Sequence, residues 1–108
     1  MARLDIYTNY ALQASVKLSE GETRIGRDKG CEVQLPDTRV SRIHAIIRPD
    51  GSHHEIENLG TNGTLVNDHE VKEARPLRPG DLVVICDYVL AYQEKENPAL
   101  ETLVTQFD

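Results

Sequence analysis

The feature that most constrains the fold is a series of short β-type runs separated by clusters of turn-forming residues. In the clearest run, apolar and polar residues alternate strictly, and the apolar positions are Leu12, Ala14, Val16 and Leu18. This is the spacing of a strand with one buried and one solvated face. Other runs are Leu4–Thr8, Glu22–Gly26, Glu32–Leu35, His44–Arg48, His54–Asn58, Thr64–Val66, Leu82–Cys86 and Tyr88–Gln93. Because glycine, proline, asparagine and aspartate are concentrated between the runs, we expect an all-β sandwich or barrel of antiparallel strands.

The size and composition of the chain fit one soluble domain. A length of 108 residues suits a single hydrophobic core, and the absence of Trp leaves that core to Val, Ile and Leu. Residues 1–10 lack the apolar segment of a signal peptide, and the longest apolar run, Leu82–Cys86, is far too short to cross a bilayer. Cys31 and Cys86 have neither metal-motif spacing nor a disulfide framework, so we expect reduced thiols. These features predict a cytoplasmic protein.

The charge is unevenly distributed. The chain has a net charge of −6, which argues against nucleic-acid and acidic-membrane binding because both need a basic field. Between Glu22 and Arg48, however, six basic residues stand against four acidic ones, so this stretch carries +2 and the remainder −8. A basic island in an acidic protein indicates a small anion as the target.

Three turn segments contain the residues suited to binding such an anion. Gly26-Arg27 follows a strand, and an Arg side chain presents a planar fork of donors that fits phosphate. Residues 39–44 place a hydroxyl and two guanidinium groups just before the next strand. Residues 60–64 contain two glycines and Asn62, whose amide both donates and accepts hydrogen bonds.

Taken in order, these segments resemble the signature of the FHA (forkhead-associated) domain family. The matching residues are Gly26-Arg27, then Ser41-Arg42-Ile43-His44-Ala45, then Asn58 to Asn67. Leu77-Arg78-Pro79-Gly80-Asp81, followed by an apolar strand, is similar to the closing segment of that family. The resemblance extends over roughly Ala2 to Gln93.

The resemblance implies a β-sandwich of about eleven strands whose loops at one end bind a phosphothreonine peptide. By the same resemblance, Arg27 and Ser41 bind the phosphate and Arg42 is a further phosphate ligand. Thr61 helps to shape the phosphothreonine site, and Asn62 clamps the peptide backbone beside the phosphorylated residue. The implied partner is therefore a phosphorylated protein or peptide, a substrate of a Ser/Thr kinase.

Four further residues receive supporting or specificity roles. Gly26 is expected to be structural because a side chain there would crowd the loop, and the ring of His44 to brace the loop of Ser41; Gly63 supports the third loop. Arg39 corresponds to a position that, in some members of the family, contacts the third residue after the phosphothreonine. Two interpretations of Arg39 stay open, namely an ion pair with Asp or Glu at that peptide position, or simple solvated surface charge.

The end of the chain has a different pattern. Residues 1–93 are predicted to form the sandwich and residues 94–108 a tail. Within the tail, Asn97-Pro98 resembles a helix start, with an N-cap residue and Pro at the first helical position. Helical spacing then relates Leu100, Leu103, Val104 and Phe107. We expect a short amphipathic helix from Pro98 to Phe107.

Other functions are less well supported by the residues. The same scaffold can act as an interaction module that does not require phosphate, and comparing one peptide with and without its phosphate discriminates the two. Ser41 and His44 lack the sequence context of a hydrolase pair, so no enzymatic activity is predicted. His53 and His54 are adjacent on a predicted strand and point to opposite faces, which favours a solvated strand edge over a metal site. We predict no cofactor and no metal; the oligomeric state is left open.

Overall fold

A computed structural model describes residues 2–18 and 20–94 of the chain, and within these ranges all regular secondary structure is β. The strands are β1 (Arg3–Thr8), β2 (Ala11–Lys17), β3 (Thr23–Gly26), β4 (Val33–Gln34), β5 (Ala45–Asp50), β6 (His53–Asn58), β7 (Leu65–Val66), β8 (His69–Glu70), β9 (Arg75–Leu77), β10 (Leu82–Ile85) and β11 (Tyr88–Gln93). The predicted all-β fold and the number of strands are confirmed. The helix predicted from Pro98 to Phe107 lies outside the described residues.

The strands form two sheets. One has six strands in the order β2-β1-β11-β10-β7-β8, and the other has five in the order β4-β3-β5-β6-β9. The pairing of β3 with β4 is parallel, and the other ladders are antiparallel. Connections that alternate between two packed sheets are typical of β-sandwiches.

The core between the sheets is aliphatic, as the composition predicts. Leu4 and Leu90 of the six-stranded sheet and Ile25, Ile47 and Ile56 of the other are fully buried within it. Burying each such side chain contributes about 1.5–3 kcal/mol relative to leaving it exposed. This core fixes the two sheets, and their ends position the loops that carry the candidate site.

The prediction that strand β2 buries one apolar face holds only for the end of the run. Val16 packs against the core and Leu18 just beyond the strand is buried, whereas Leu12 is 56% exposed and Ala14 is exposed as well. Two features explain this. Strand β2 is an edge strand, paired only with β1. In addition, the register shifts so that Ile6 faces Ala14 but Tyr7 faces Leu12, and this turns Leu12 toward the outer surface of the sheet.

Two short strands, β8 and β9, have no counterpart among the runs predicted from alternation. Strand β8 contains two residues and β9 three, and neither is long enough to show a period of two. Strand β9 also contains Pro76, which lies on the edge strand of its sheet, where a missing backbone N–H is tolerated. Only tertiary pairing defines these strands.

The two histidines at the start of β6 make polar contacts that the sequence did not predict. His53 is exposed and its Nδ1 lies 2.9 Å from Glu94 Oε1. His54 is half-buried, its Nδ1 lies 2.8 Å from the Tyr92 hydroxyl, and its burial lowers the pKa of the imidazole. The interpretation as a solvated strand edge is therefore wrong for His54. Residues 2–18 and 20–94 contain no cluster of three or more His, Cys, Asp or Glu that could hold a metal ion, and no helix that could span a membrane.

The β1–β2 hairpin turn is strained. Asn9 and Tyr10 link the two strands with φ values of 53° and 63°, as a two-residue type I′ turn requires. Asn tolerates this left-handed conformation, but an aromatic residue there is uncommon. Tyr10 is also fully exposed, so burial of its ring does not offset the strain.

We expect Tyr10→Gly to stabilise the domain by about 1 kcal/mol, because glycine adopts a positive φ without a steric penalty. Urea unfolding of the two proteins measures the difference. Asn9→Gly is the matched control, and we expect a change below about 0.5 kcal/mol because Asn already tolerates the conformation. A Tyr10→Gly protein no more stable than the parent would show that the turn is unstrained.

Candidate functional site

Three loops meet at one end of the sandwich because three strand ends are aligned there. Ile25 near the end of β3 pairs with Ala45 at the start of β5, and Ala45 pairs with Asn58 at the end of β6. The loops that adjoin these ends, residues 27–32, 35–44 and 59–64, therefore share one end of the five-stranded sheet. Every residue predicted to bind or support the ligand lies in or beside these loops.

The first loop is joined to the second by backbone hydrogen bonds. The amide of Arg27 donates to the carbonyl of Ser41 at 3.0 Å, and the amide of Asp28 donates to the carbonyl of Arg42 at 3.1 Å. Gly26 makes this approach possible, since a Cβ atom there would lie 2.1 Å from the Arg42 carbonyl oxygen. The two guanidinium groups therefore start from backbone positions that are held together.

The second and third loops are joined by His44, whose side chain is fully buried. Its Nδ1 accepts a hydrogen bond from the Ser41 amide at 3.0 Å, and its Nε2 lies 2.7 Å from the Gly63 carbonyl oxygen. A ring that accepts at Nδ1 and donates at Nε2 is the neutral Nε2–H tautomer. Gly60 packs against the ring, with room for no side chain, because a Cβ atom would lie 2.4 Å from His44 Nδ1.

These contacts explain why His44 does not act as a base toward Ser41. Both ring nitrogens are engaged by main-chain groups, one of them the amide of Ser41 rather than its hydroxyl. The Ser41 hydroxyl oxygen accepts a hydrogen bond from the Thr61 amide at 3.2 Å, which leaves its own proton available for an acceptor on a ligand.

Asn62 is held beside Arg39. Its Nδ2 donates to the Arg39 carbonyl oxygen at 2.7 Å. An amide carries a second N–H and a carbonyl oxygen, so Asn62 can contact a peptide backbone while keeping this bond. This hydrogen bond fixes the orientation of the Asn62 side chain.

Asn58 braces the third loop, a role that the sequence reasoning did not assign. Its Oδ1 accepts hydrogen bonds from the Gly60 amide at 3.2 Å and from the Thr64 hydroxyl at 2.8 Å, while its Nδ2 donates to the Gly60 carbonyl at 3.1 Å. All the hydrogen-bonding atoms of this side chain are used within one turn. The position matched the family pattern, but nothing in the spacing indicated these partners.

Two thiols also contact the second loop. Cys31 Sγ lies 3.4 Å from the Arg42 carbonyl oxygen, and Cys86 Sγ lies 3.6 Å from that of Arg39. Both cysteines are free, and burial raises the pKa of each thiol. Neutral thiols are the donors that these carbonyls require.

The arginines near the site fall into two groups. Arg24, Arg39 and Arg48 each form ion pairs with carboxylates. In contrast, Arg27 and Arg42 have no carboxylate within ion-pair distance among residues 2–18 and 20–94. They line an open cleft of about 330 Å³ together with Asp28 and Lys29.

The cleft therefore presents three cations against one carboxylate. Because uncompensated charges of one sign in a cleft concentrate the field there, this cleft attracts an anion although the protein as a whole is acidic. Lys29 was not among the predicted site residues. A lysine in a polar turn looks like ordinary surface charge in the sequence, and only the fold brings it to the cleft.

Arg39 is not among the residues that line the cleft. Its guanidinium contacts Asp37 Oδ2 at 2.6 Å and Asp87 Oδ2 at 2.7 Å. Hydrogen bonds from Arg39 lower the pKa of Asp37 to about 2, so this carboxylate is ionised at neutral pH. Half of the Arg39 side chain is exposed, and the residue links the second loop to the β10–β11 turn.

Comparisons with known proteins agree with this architecture. The model of the FHA domain matches residues 23–86, and the chain belongs to the FHA domain family. Relatives include the transcriptional regulatory protein EmbR of Mycobacterium tuberculosis, 35% identical over 85 residues, which cover 78% of this chain and 20% of EmbR. FhaA of the same organism is 44% identical over 68 residues, covering 62% of this chain and 13% of FhaA. The chain thus spans about a fifth of EmbR and less of FhaA.

Solved structures show the same fold. The FhaA FHA domain, complexed with the intracellular domain of Rv3910, has a TM-score of 0.77 at 32% identity and covers 86% of this chain and all of its own. EmbR of Mycobacterium tuberculosis, in complex with a low-affinity phosphopeptide, has a TM-score of 0.78 at 28% identity, covering 88% of this chain and 25% of its own.

We expect Gly26→Ala to destabilise the domain by about 1–3 kcal/mol, because the new Cβ atom forces the Arg42 carbonyl away from its hydrogen-bond donors. Gly30→Ala is the matched control in the same loop, since its Cβ atom would meet nothing closer than 4.0 Å. We expect the control to change stability by less than about 0.5 kcal/mol. Thermal unfolding of both variants checks this, and equal melting temperatures would contradict the close approach.

Proposed function

We propose that this domain binds phosphothreonine in a partner protein and has no catalytic activity. The observation that carries the proposal is the cleft lined by Arg27, Arg42 and Lys29 with one carboxylate, that of Asp28, in which neither guanidinium group has an ion-pair partner among the described residues. The Ser41 hydroxyl, whose proton is available, lies on the same loop as Arg42. A phosphothreonine side chain has three strong acceptor oxygens and a charge of about −1.5 to −2. Its charge and acceptors complement these donors.

The roles of the individual residues follow from their chemistry. Arg27 and Arg42 donate to phosphate oxygens through guanidinium N–H groups, and Ser41 donates through its hydroxyl. Thr61 shapes the site by fixing the Ser41 hydroxyl through its backbone amide. Asn62 clamps the peptide backbone beside the phosphorylated residue while it stays bonded to the Arg39 carbonyl.

The affinity expected from these contacts suits reversible signalling. Hydrogen bonds to charged groups contribute about 1.5–3 kcal/mol each. Three such bonds and the Asn62 clamp give about 8 kcal/mol after the costs of ordering the peptide, which corresponds to a dissociation constant of about 1 μM. Reversible phosphorylation of the partner then controls the complex. We place this function in the cytoplasm, without a cofactor.

The solved relatives support the proposal. One structure at 30% identity, with a TM-score of 0.76, is described as an analysis of phosphothreonine-dependent FHA domain interactions and covers 88% of this chain and 99% of its own. The likeness to EmbR in complex with a phosphopeptide has the same implication. Residues 1–93 are the proposed binding module, and the short helix within residues 94–108 stays a prediction from the sequence.

We expect a phosphothreonine peptide to bind with a dissociation constant of about 1 μM and the bare threonine peptide to bind at least about a hundredfold more weakly. Arg27→Ala should weaken phosphopeptide binding by at least about tenfold, because it removes a charged donor to the phosphate. Isothermal titration calorimetry measures all three affinities.

Arg78→Ala is the control for net charge. Arg78 follows β9, whose Leu77 pairs with His54 at the start of β6, the end of the sheet opposite to Asn58. We expect the affinity of Arg78→Ala for the phosphopeptide to stay within about twofold of that of the parent. Equal binding of the modified and bare peptides would contradict the proposal and favour a phosphate-independent interaction module.

We propose that Arg39 gives a preference for Asp or Glu at the third residue after the phosphothreonine. The expected gain over Ala is about twofold to threefold, since exposed ion pairs contribute little and Arg39 already contacts two carboxylates. Asp87→Asn should enlarge this preference by freeing the guanidinium, and Arg39→Gln should abolish it. A peptide array probed with the parent, Asp87→Asn and Arg39→Gln measures the acidic preference of each protein. A preference that persists in Arg39→Gln would show that another residue causes it.

A further inference from the structure

An apolar hollow lies on the outer face of the six-stranded sheet, at the end that carries the candidate site. It has a volume of about 420 Å³, and its walls include Tyr7, Tyr10 and Val89, with Asp87 at the rim. The register explains the position. Thr8 pairs with Tyr88, so the Asn9–Tyr10 turn and the Cys86–Asp87 turn lie side by side.

A row of apolar side chains extends beyond the hollow on this face. Paired residues of adjacent strands point to the same side of a sheet. The register therefore places five apolar side chains in one row across five strands, in the order Leu12, Tyr7, Val89, Val84 and Leu65. Leu12 and Leu65 are exposed, and the three between them are partly buried. This row lies on the face that points away from the core.

Tyr10 is the unusual member of the hollow. It adopts a left-handed backbone conformation that suits Gly or Asn, and its ring is fully exposed. Tyr10 therefore stabilises the folded domain neither through a relaxed backbone conformation nor through burial of its ring. Strain held at an exposed position favours a role in binding, and a tyrosine offers a large, rigid contact area with few rotatable bonds.

Arg39 links the hollow to the loop that carries Ser41. The guanidinium of Arg39 contacts Asp87 at the rim, at 2.7 Å, and its carbonyl accepts the hydrogen bond of Asn62. Arg39 is also two residues from Ser41 in the chain. A peptide held by Ser41 and Asn62 can therefore reach Tyr7 and Tyr10 by passing Arg39.

From this geometry we infer that the hollow of Tyr7, Tyr10 and Val89 is a second subsite for the same phosphorylated partner. It takes an apolar side chain, aliphatic or aromatic, that lies several residues from the phosphothreonine. Asp87 at the rim excludes an acidic side chain by repulsion. The inference rests on the proposed function, and it adds an apolar determinant to a ligand otherwise recognised by its phosphate.

The test is a series of phosphothreonine peptides with alanine at the flanking positions and one leucine placed at each of them in turn. Fluorescence anisotropy measures the affinity of every peptide for the parent domain. We expect one position distant from the phosphothreonine at which leucine strengthens binding by about fivefold to tenfold, the effect of burying much of a leucine side chain. Glutamate at that position should weaken binding relative to alanine.

Two variants assign the effect to the hollow. Tyr10→Gly removes the ring and is expected to fold at least as well as the parent, and Val89→Thr keeps the shape of the side chain while making it polar. In both, the leucine gain should fall below about twofold, with affinity for the all-alanine phosphopeptide unchanged. Leu82→Thr is the control, because Leu82 is exposed at the other end of β10 and faces outward opposite Ala91. It should keep the full gain.

The outcomes separate this inference from the proposed function. If phosphopeptides bind but leucine strengthens binding at no position, or the gain survives in Tyr10→Gly, the subsite is refuted and the proposed function stands. If the phosphate itself makes no difference, the proposed function fails. Sedimentation of the parent and of Tyr10→Gly tests whether a second copy of the chain occupies the hollow instead. A dimer that dissociates in the variant would assign the hollow to that copy and overturn the inference.

Discussion

The candidate site depends on one buried imidazole. His44 accepts from the Ser41 amide and donates to the Gly63 carbonyl, so a single neutral ring sets the distance between the loop that carries the hydroxyl and the loop that carries Asn62. A ring with both nitrogens engaged cannot turn without leaving two buried polar groups unpaired, which is costly. Gly60 is also needed for this arrangement, because only a residue without a side chain fits against the His44 ring. The backbones of these two loops are therefore held in place before a ligand arrives, which lowers the entropy lost on binding.

An acidic protein can present a basic cleft because only some of its arginines are paired with carboxylates. Arg24, Arg39 and Arg48 are compensated by neighbouring carboxylates and contribute little net field. Arg27 and Arg42 have no ion-pair partner among the described residues, and together with Lys29 they outnumber the one carboxylate of the cleft, that of Asp28. Electrostatic attraction for a phosphate therefore comes from a local excess of cations rather than from the overall count of basic residues. The negative remainder of the surface disfavours polyanions such as nucleic acids.

Much of this arrangement could be predicted from the sequence because its determinants are local. Alternation and turn residues indicated nine of the strands, and the ordered motif indicated which loops carry the site. The missing parts depend on contacts between distant residues. Strand β2 shows the alternation of a half-buried strand, yet a shifted register and an edge position expose Leu12. The role of Asn58 and the place of Lys29 could not be seen either, since each is defined by loops that meet only in the folded chain.

We propose that donors carried by three joined loops meet one phosphate. Two-dimensional amide NMR of the domain, titrated with a phosphothreonine peptide and with its bare form, tests it most directly. We expect the phosphopeptide alone to shift the amides of Arg27, Arg42 and Thr61 strongly, with small changes at the opposite end near Arg78. Equal shifts with both peptides, or changes concentrated away from the three loops, would contradict it.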